Sequence, residues 1–195
     1  MLRTLFDELA AVFDGKLAIE TAAREMLLSA ESEYVPPADS APLPSEVLKA
    51  MSASDAHPVC RTIASIPFVW TPPTTSLDPL YVEHSKAKVH VELIGPGGLV
   101  PSDQIRLGLY GMLPNAEYGI RTHPAEEIYV MLAGQSFWIR GDAPYIPLGP
   151  GERSHHPSML PHASKTEQCA FMSIYVWAGD DISTDNYRYD GLPLS

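Results

Sequence analysis

Nineteen prolines and thirteen glycines interrupt a chain of 195 residues. Helix breakers at that density exclude a helical bundle and fit many short strands joined by tight turns. The first sixty residues read differently. Leu2, Leu5, Phe6, Leu9, Val12 and Phe13 follow the spacing of one helix face until Asp14-Gly15 breaks the period. Ile19, Ala22, Ala23, Met26, Leu27 and Ala30 restart it as a second amphipathic helix. After Pro36-Pro37, Ser45 is placed to cap a short third helix carrying Val47, Leu48 and Met51. Residues 61–85, with Pro67, Pro72, Pro73 and Pro79, are expected to form an irregular connection.

From Lys86 the period changes to two, with Val89, Val91 and Leu93 alternating with His90 and Glu92 until Pro96-Gly97-Gly98. Further strands are expected at Ile105–Met112, Glu127–Leu132, Ser136–Arg140, Tyr145–Leu148 and Cys169–Trp177. Turn signals stand between them at Pro114-Asn115, Ala133-Gly134, Gly141-Asp142 and Gly149-Pro150-Gly151. Spacing of this kind predicts a mainly β sandwich or barrel over 86–195, with the helices of 1–60 packed outside it as part of one structural domain. Hydrophobic residues make up 45% of the chain, enough for a core.

The formal net charge of −11 argues against a nucleic-acid partner and against a polybasic membrane patch. No apolar run has the length to span a bilayer, and Asp7 and Glu8 interrupt the N-terminal apolar stretch early. Cys60 and Cys169 fit no metal or redox spacing and are expected to be reduced thiols. A cytoplasmic location is the expectation.

The ionisable residues are not scattered evenly. His123, His155, His156 and His162 fall within one forty-residue window that also holds Glu126, Glu127 and Tyr129. Side chains alternate along a strand, so Glu127 and Tyr129 share a face; His123 has the same parity, and one barrel wall can present all three inward. Imidazole nitrogen and carboxylate oxygen suit Zn²⁺, Fe²⁺, Mn²⁺ or Ni²⁺. Three such ligands with one position open form a catalytic metal site. Glu126 has the wrong parity for it, and only one of His155 and His156 can face inward. His57, His84 and His90 match no motif and are read as structural; Trp138, Tyr175 and Trp177 are read as core aromatics.

These stretches resemble the cupin superfamily, whose first motif is G-x5-H-x-H-x3,4-E-x6-G and whose second is G-x5-P-x-G-x2-H-x3-N. His123, Glu127 and Gly134 match the second His, the Glu and the final Gly of motif one. Gly141, Pro147 and Gly149 match the opening of motif two, with His162 as its His displaced by an insertion. The first His falls at Arg121, which has no lone pair for a metal. The resemblance therefore implies a cupin jelly-roll barrel with one divalent ion on His123, Glu127 and His162. Arg121 is left to attract a substrate carboxylate or to pair with Glu126.

The runs Thr122-His-Pro-Ala-Glu-Glu-Ile-Tyr129 and His155-His-Pro-Ser-Met-Leu-Pro-His162-Ala163 are more specifically similar to the bacterial cupin-type dimethylsulfoniopropionate (DMSP) lyases, most like the branch called DddQ. That resemblance implies a carbon–sulfur lyase acting on a small zwitterion, with Tyr129 as general base and Tyr118 reaching the same pocket. It needs no organic cofactor. A metal-dependent cupin oxygenase and a non-catalytic cupin ligand sensor are the alternatives.

Overall fold

The computed structural model describes residues 1–31, 33–35 and 41–191. The Pro36-Pro37 break lies outside the described residues. Helix α1 (Leu2–Val12) and helix α2 (Ala18–Ser29) occupy the two N-terminal periodic segments. They bury the apolar stripes that defined them, with Leu5, Phe6, Leu9, Ala23 and Leu27 fully enclosed. Arg3 donates to the free carbonyls of Leu27 and Ala30 at the end of α2, at 2.6 and 3.1 Å. Helix α3 (Ser45–Met51) forms as expected, but Pro44 holds the N-cap position and the Ser45 hydroxyl bonds Glu46 instead of capping.

Residues 61–85 depart from the irregular reading. They contain most of α4 (Val59–Ser65) and all of α5 (Pro79–Ser85). Pro79 does not break this stretch but opens α5: a first-turn proline gives up no helical hydrogen bond. Asp78 caps that helix by accepting from the backbone N–H groups of Leu80 and Tyr81.

Eleven strands follow among the described residues, and they form two facing sheets. The larger sheet holds β1 (Lys88–Gly95), β2 (Val100–Pro101), β3 (Arg106–Met112), β5 (Glu126–Gly134), β8 (Arg153–His156) and β10 (Phe171–Ala178), in the order β2-β1-β3-β10-β5-β8. The smaller holds β4 (Glu117–Thr122), β6 (Ser136–Arg140), β7 (Ile146–Leu148), β9 (His162–Lys165) and β11 (Arg188–Gly191), in the order β11-β4-β9-β6-β7. This is the expected mainly β barrel of two sheets with helices packed outside it. The strands not expected from sequence (β2, β4, β8 and β11) have six residues or fewer. Gly134 ends β5 with φ 72°, where a Cβ would sit 1.9 Å from the Ala170 carbonyl oxygen.

Alternation divides the larger sheet into two chemistries. Val89, Val91, Leu107, Leu109, Ile128, Val130, Ile174 and Val176 point outward and join the helices in one aliphatic core. Tyr110, Met112, Tyr129, Met131, Tyr175 and Trp177 point inward, into an aromatic core with Trp138 and Tyr118. The helices are pinned to the barrel at Arg153 of β8, which pairs with buried Glu20 at 2.8 Å, with Asp14, and with the Val12 carbonyl.

Lys88, the first residue of β1, is buried and its ammonium has no hydrogen-bond partner. Burial pulls its pKa down to about 6, and the nearby Arg121 charge adds to the effect. An unfolded lysine titrates near 10.4, so between those values the unfolded chain binds the extra proton. Lys88 therefore costs stability most below pH 6, and the cost fades as pH rises toward 10. Lys88→Met is expected to raise the melting temperature by roughly 5 °C at pH 7 and by less at pH 9.5. Melts at the two pH values check this; a lower melting temperature at pH 7, or equal gains at both, contradicts it.

Candidate metal centre

Glu127 sits on β5 between two inward neighbours on the flanking strands, Trp177 on β10 and His156 on β8. Both donate to it. The Trp177 indole N–H bonds Oε1, and His156 Nδ1 lies 3.0 Å from Oε2. A carboxylate only accepts, so the His156 proton is on Nδ1, and the Ser154 hydroxyl donates to Nε2 at 2.8 Å. Burial alone would raise the Glu127 carboxyl, but the hydrogen bond from His156 opposes that rise.

His123 and His162 reach the same point from elsewhere. His162 opens β9 in the smaller sheet, and His123 lies in the corner where the chain leaves β4 of that sheet for β5 of the other. The expectation that one wall would carry His123, Glu127 and Tyr129 is therefore corrected. Pro124 turns the chain, and the three potential ligands come from two sheets and the corner between them.

His123 Nδ1 donates to the Ala125 carbonyl at 3.0 Å, and His162 Nδ1 to the Leu160 carbonyl at 2.8 Å. Each Nε2 is thereby left as a bare lone pair, buried and without a hydrogen-bond partner. Glu127 Oε2 faces them at 3.0 Å from His162 Nε2 and 3.6 Å from His123 Nε2. Three acceptors converging in a buried space repel one another unless a cation lies among them. His123, Glu127 and His162 have the donor set and closeness that could hold a metal ion, with ligand atoms within 4.8 Å of one another.

His156 is the inward member of its pair, stacked on His162 with centroids 4.0 Å apart. Both its nitrogens are engaged, so it orients Glu127 and is not a fourth ligand. Burial brings its pKa down to about 4, against the pull of Glu127. His156→Ala is expected to weaken metal affinity about 10–100-fold, read by competition with a chelator; unchanged affinity would show that Glu127 needs no such support. His155 instead pairs with Glu126 at 2.6 Å, away from the site. That pairing corrects the Arg121–Glu126 expectation.

Arg121 is fully buried, with its guanidinium carbon 3.8 Å from the Tyr118 ring centroid. Tyr118 also hydrogen-bonds the Tyr187 hydroxyl.

A cavity of about 380 Å³ opens onto Glu127, Tyr129 and Tyr118. Tyr175 and Trp177 are core aromatics as expected, and together with His90 they also line this cavity. His90 Nε2 bonds the Tyr175 hydroxyl at 2.8 Å. Strand parity carried this information, because His90 shares the phase of Glu92, as Tyr175 shares that of Trp177. Tyr129 is buried beside Trp138, with centroids 4.6 Å apart. Burial, and next the Glu127 charge, push its phenol well above 10, while Arg121 pulls it down. No helix among the described residues is long and apolar enough to cross a membrane.

Residues 39–172 match the dimethylsulfoniopropionate lyase family. Over 88 residues the chain is 41% identical to the dimethylsulfoniopropionate lyase DddQ of Ruegeria pomeroyi, a match that takes in 45% of this chain and 44% of that relative, less than half of its length. The crystal structure of DMSP lyase DddQ from Ruegeria pomeroyi superposes with a TM-score of 0.67 at 25% identity, covering 97% of this chain and 95% of that one. A structure from a crystal study of the DMSP lyases RdDddP and RnDddQII gives a TM-score of 0.67 at 21% identity, with 97% of each chain covered, a likeness of fold.

Proposed function

Because the chain belongs to the dimethylsulfoniopropionate lyase family, we propose that it is a metal-dependent carbon–sulfur lyase that cleaves DMSP to dimethyl sulfide and acrylate by β-elimination, with Tyr129 as the base. The observation that carries this reading is one cavity lined by both the buried Tyr129 phenol and Glu127, the carboxylate of a three-donor cluster of metal type. The sulfonium is already a good leaving group. The difficult step is removing a proton from the carbon beside the carboxylate, because the adjacent negative charge makes that C–H poorly acidic.

A divalent cation on His123, Glu127 and His162 would offset that charge and pull the Tyr129 phenol toward its ionised form. Tyr129 takes the proton on its phenolic oxygen. The C–H electron pair becomes the C=C bond of acrylate, and the C–S pair leaves on sulfur as neutral dimethyl sulfide. Arg121 supports the ionised phenol electrostatically. Burial of the Tyr129 phenol strengthens each of these interactions. Tyr118 lines the same cavity, with its hydroxyl bonded to that of Tyr187.

Headspace detection of dimethyl sulfide after mixing purified, metal-loaded protein with DMSP tests the reading. Release of dimethyl sulfide with one equivalent of acrylate and no oxygen uptake is expected. Binding without product would make the chain a sensor, and product formation requiring oxygen would make it an oxygenase.

A further inference from the structure

The larger sheet carries an inward rung that the chemistry above leaves mostly unused. Read across the strands, Glu92 on β1 pairs with Gly108 on β3, Gly108 with Tyr175 on β10, and Tyr175 with Tyr129 on β5. The glycine leaves the floor of this rung bare. A Cβ on Gly108 would stand 2.8 Å from Tyr175 Cε1, so only glycine lets the ring lie down over the strand. Glu92 and Tyr175 thus flank a hollow whose far side is Tyr129, and both line the cavity.

We propose that Glu92 and the Tyr175 ring form the subsite for the cationic end of the substrate, and that Glu92 sets the preference for a zwitterion over an anion of the same shape. This rests on the lyase reading in one respect: it takes Tyr129 as the group beside the reacting carbon. In DMSP a single carbon separates the carbon that loses its proton from the sulfur. The cation must therefore lie next to the base, and the Tyr175 centroid is 6.0 Å from that of Tyr129. An aromatic face attracts a poorly hydrated cation, and the Glu92 carboxylate, which it shares with Arg106, adds to that attraction.

Tyr118 is less suited to the task, since Arg121 and Lys88 Nζ already lie 3.8 and 4.0 Å from its centroid. The remaining groups of the hollow are fixed in place. The His90–Tyr175 bond sets the ring, and Arg106 holds both Glu92 oxygens at 3.2 and 3.3 Å while donating to the Ile182 carbonyl.

Two unreactive probes of equal shape isolate the charge: 3-(trimethylammonio)propionate and its neutral-tailed isostere 4,4-dimethylpentanoate. Calorimetric titration of the metal-loaded protein with each gives a ratio of affinities. The wild type is expected to favour the ammonium probe by about tenfold or more, and Glu92→Gln to bring the ratio to about one with little change in binding of the isostere. Tyr175→Leu is expected to lower the ratio independently, which covers failure of the first variant to fold. A wild type without preference, or a Glu92→Gln protein that keeps the wild-type ratio or loses both probes equally, overturns the subsite. A protein that shows the charge preference and its loss, yet releases no dimethyl sulfide from DMSP, keeps the subsite and overturns the lyase reading.

Discussion

Tyr129→Phe is expected to fold, to retain its metal and to bind DMSP, yet to turn it over at least roughly 10²–10⁴-fold more slowly. The substitution keeps the ring against Trp138 and Tyr110 and deletes the one oxygen assigned to take the proton. If Tyr129 merely filled the barrel, Phe would fill the same volume and activity would survive. Steady-state kinetics with metal analysis on the same sample decides between the two. A variant retaining more than about a tenth of wild-type kcat removes the base assignment. Tyr118→Phe measured in parallel tells whether the second phenol takes over.

His123→Ala and His162→Ala are expected to lose metal and turnover together. Each variant takes away one of three converging donors and leaves a two-ligand remnant. Even an outer hydrogen-bonding partner is worth about 10–100-fold in affinity or activity, so loss of a ligand itself is expected to exceed the upper end of that range. Elemental analysis after dialysis, run beside the headspace assay, checks this. Full occupancy in either variant refutes the ligand set. Because His156→Ala leaves all three donors in place, its smaller effect separates orientation of Glu127 from coordination.

The sequence made legible whatever rested on long periodic runs. The stripes of α1 and α2 and the alternation of β1, β3, β5 and β10 all lie where the periodicity puts them. His123, Glu127 and His162 meet because their spacing belongs to a motif, even though the supposed single wall is really two sheets. What could not be read was decided by tertiary pairing. Nothing local distinguishes a proline that ends a connection from Pro79 opening α5 under an Asp78 cap. Nor does any local pattern show that Trp177 and His156 lie on either side of Glu127, because strand order, not chain order, makes them neighbours. The faces of His90 and Tyr175 are readable in the same way, but the hollow they border exists only once Gly108 is known to lie between β1 and β10.

The corner at His123 has a consequence for the barrel as a machine. With one donor on the large sheet, one on the small sheet and one on the bend joining them, an ion at this point rivets the two walls together. On the proposed reading, catalytic competence and mechanical integrity would share a single fastener. By mass action, free metal at a hundred times its dissociation constant adds about 2.7 kcal/mol to the folded state. Metal scarcity would thus do more than idle such a barrel; it would loosen the seam through which His123, Glu127 and His162 are held in register.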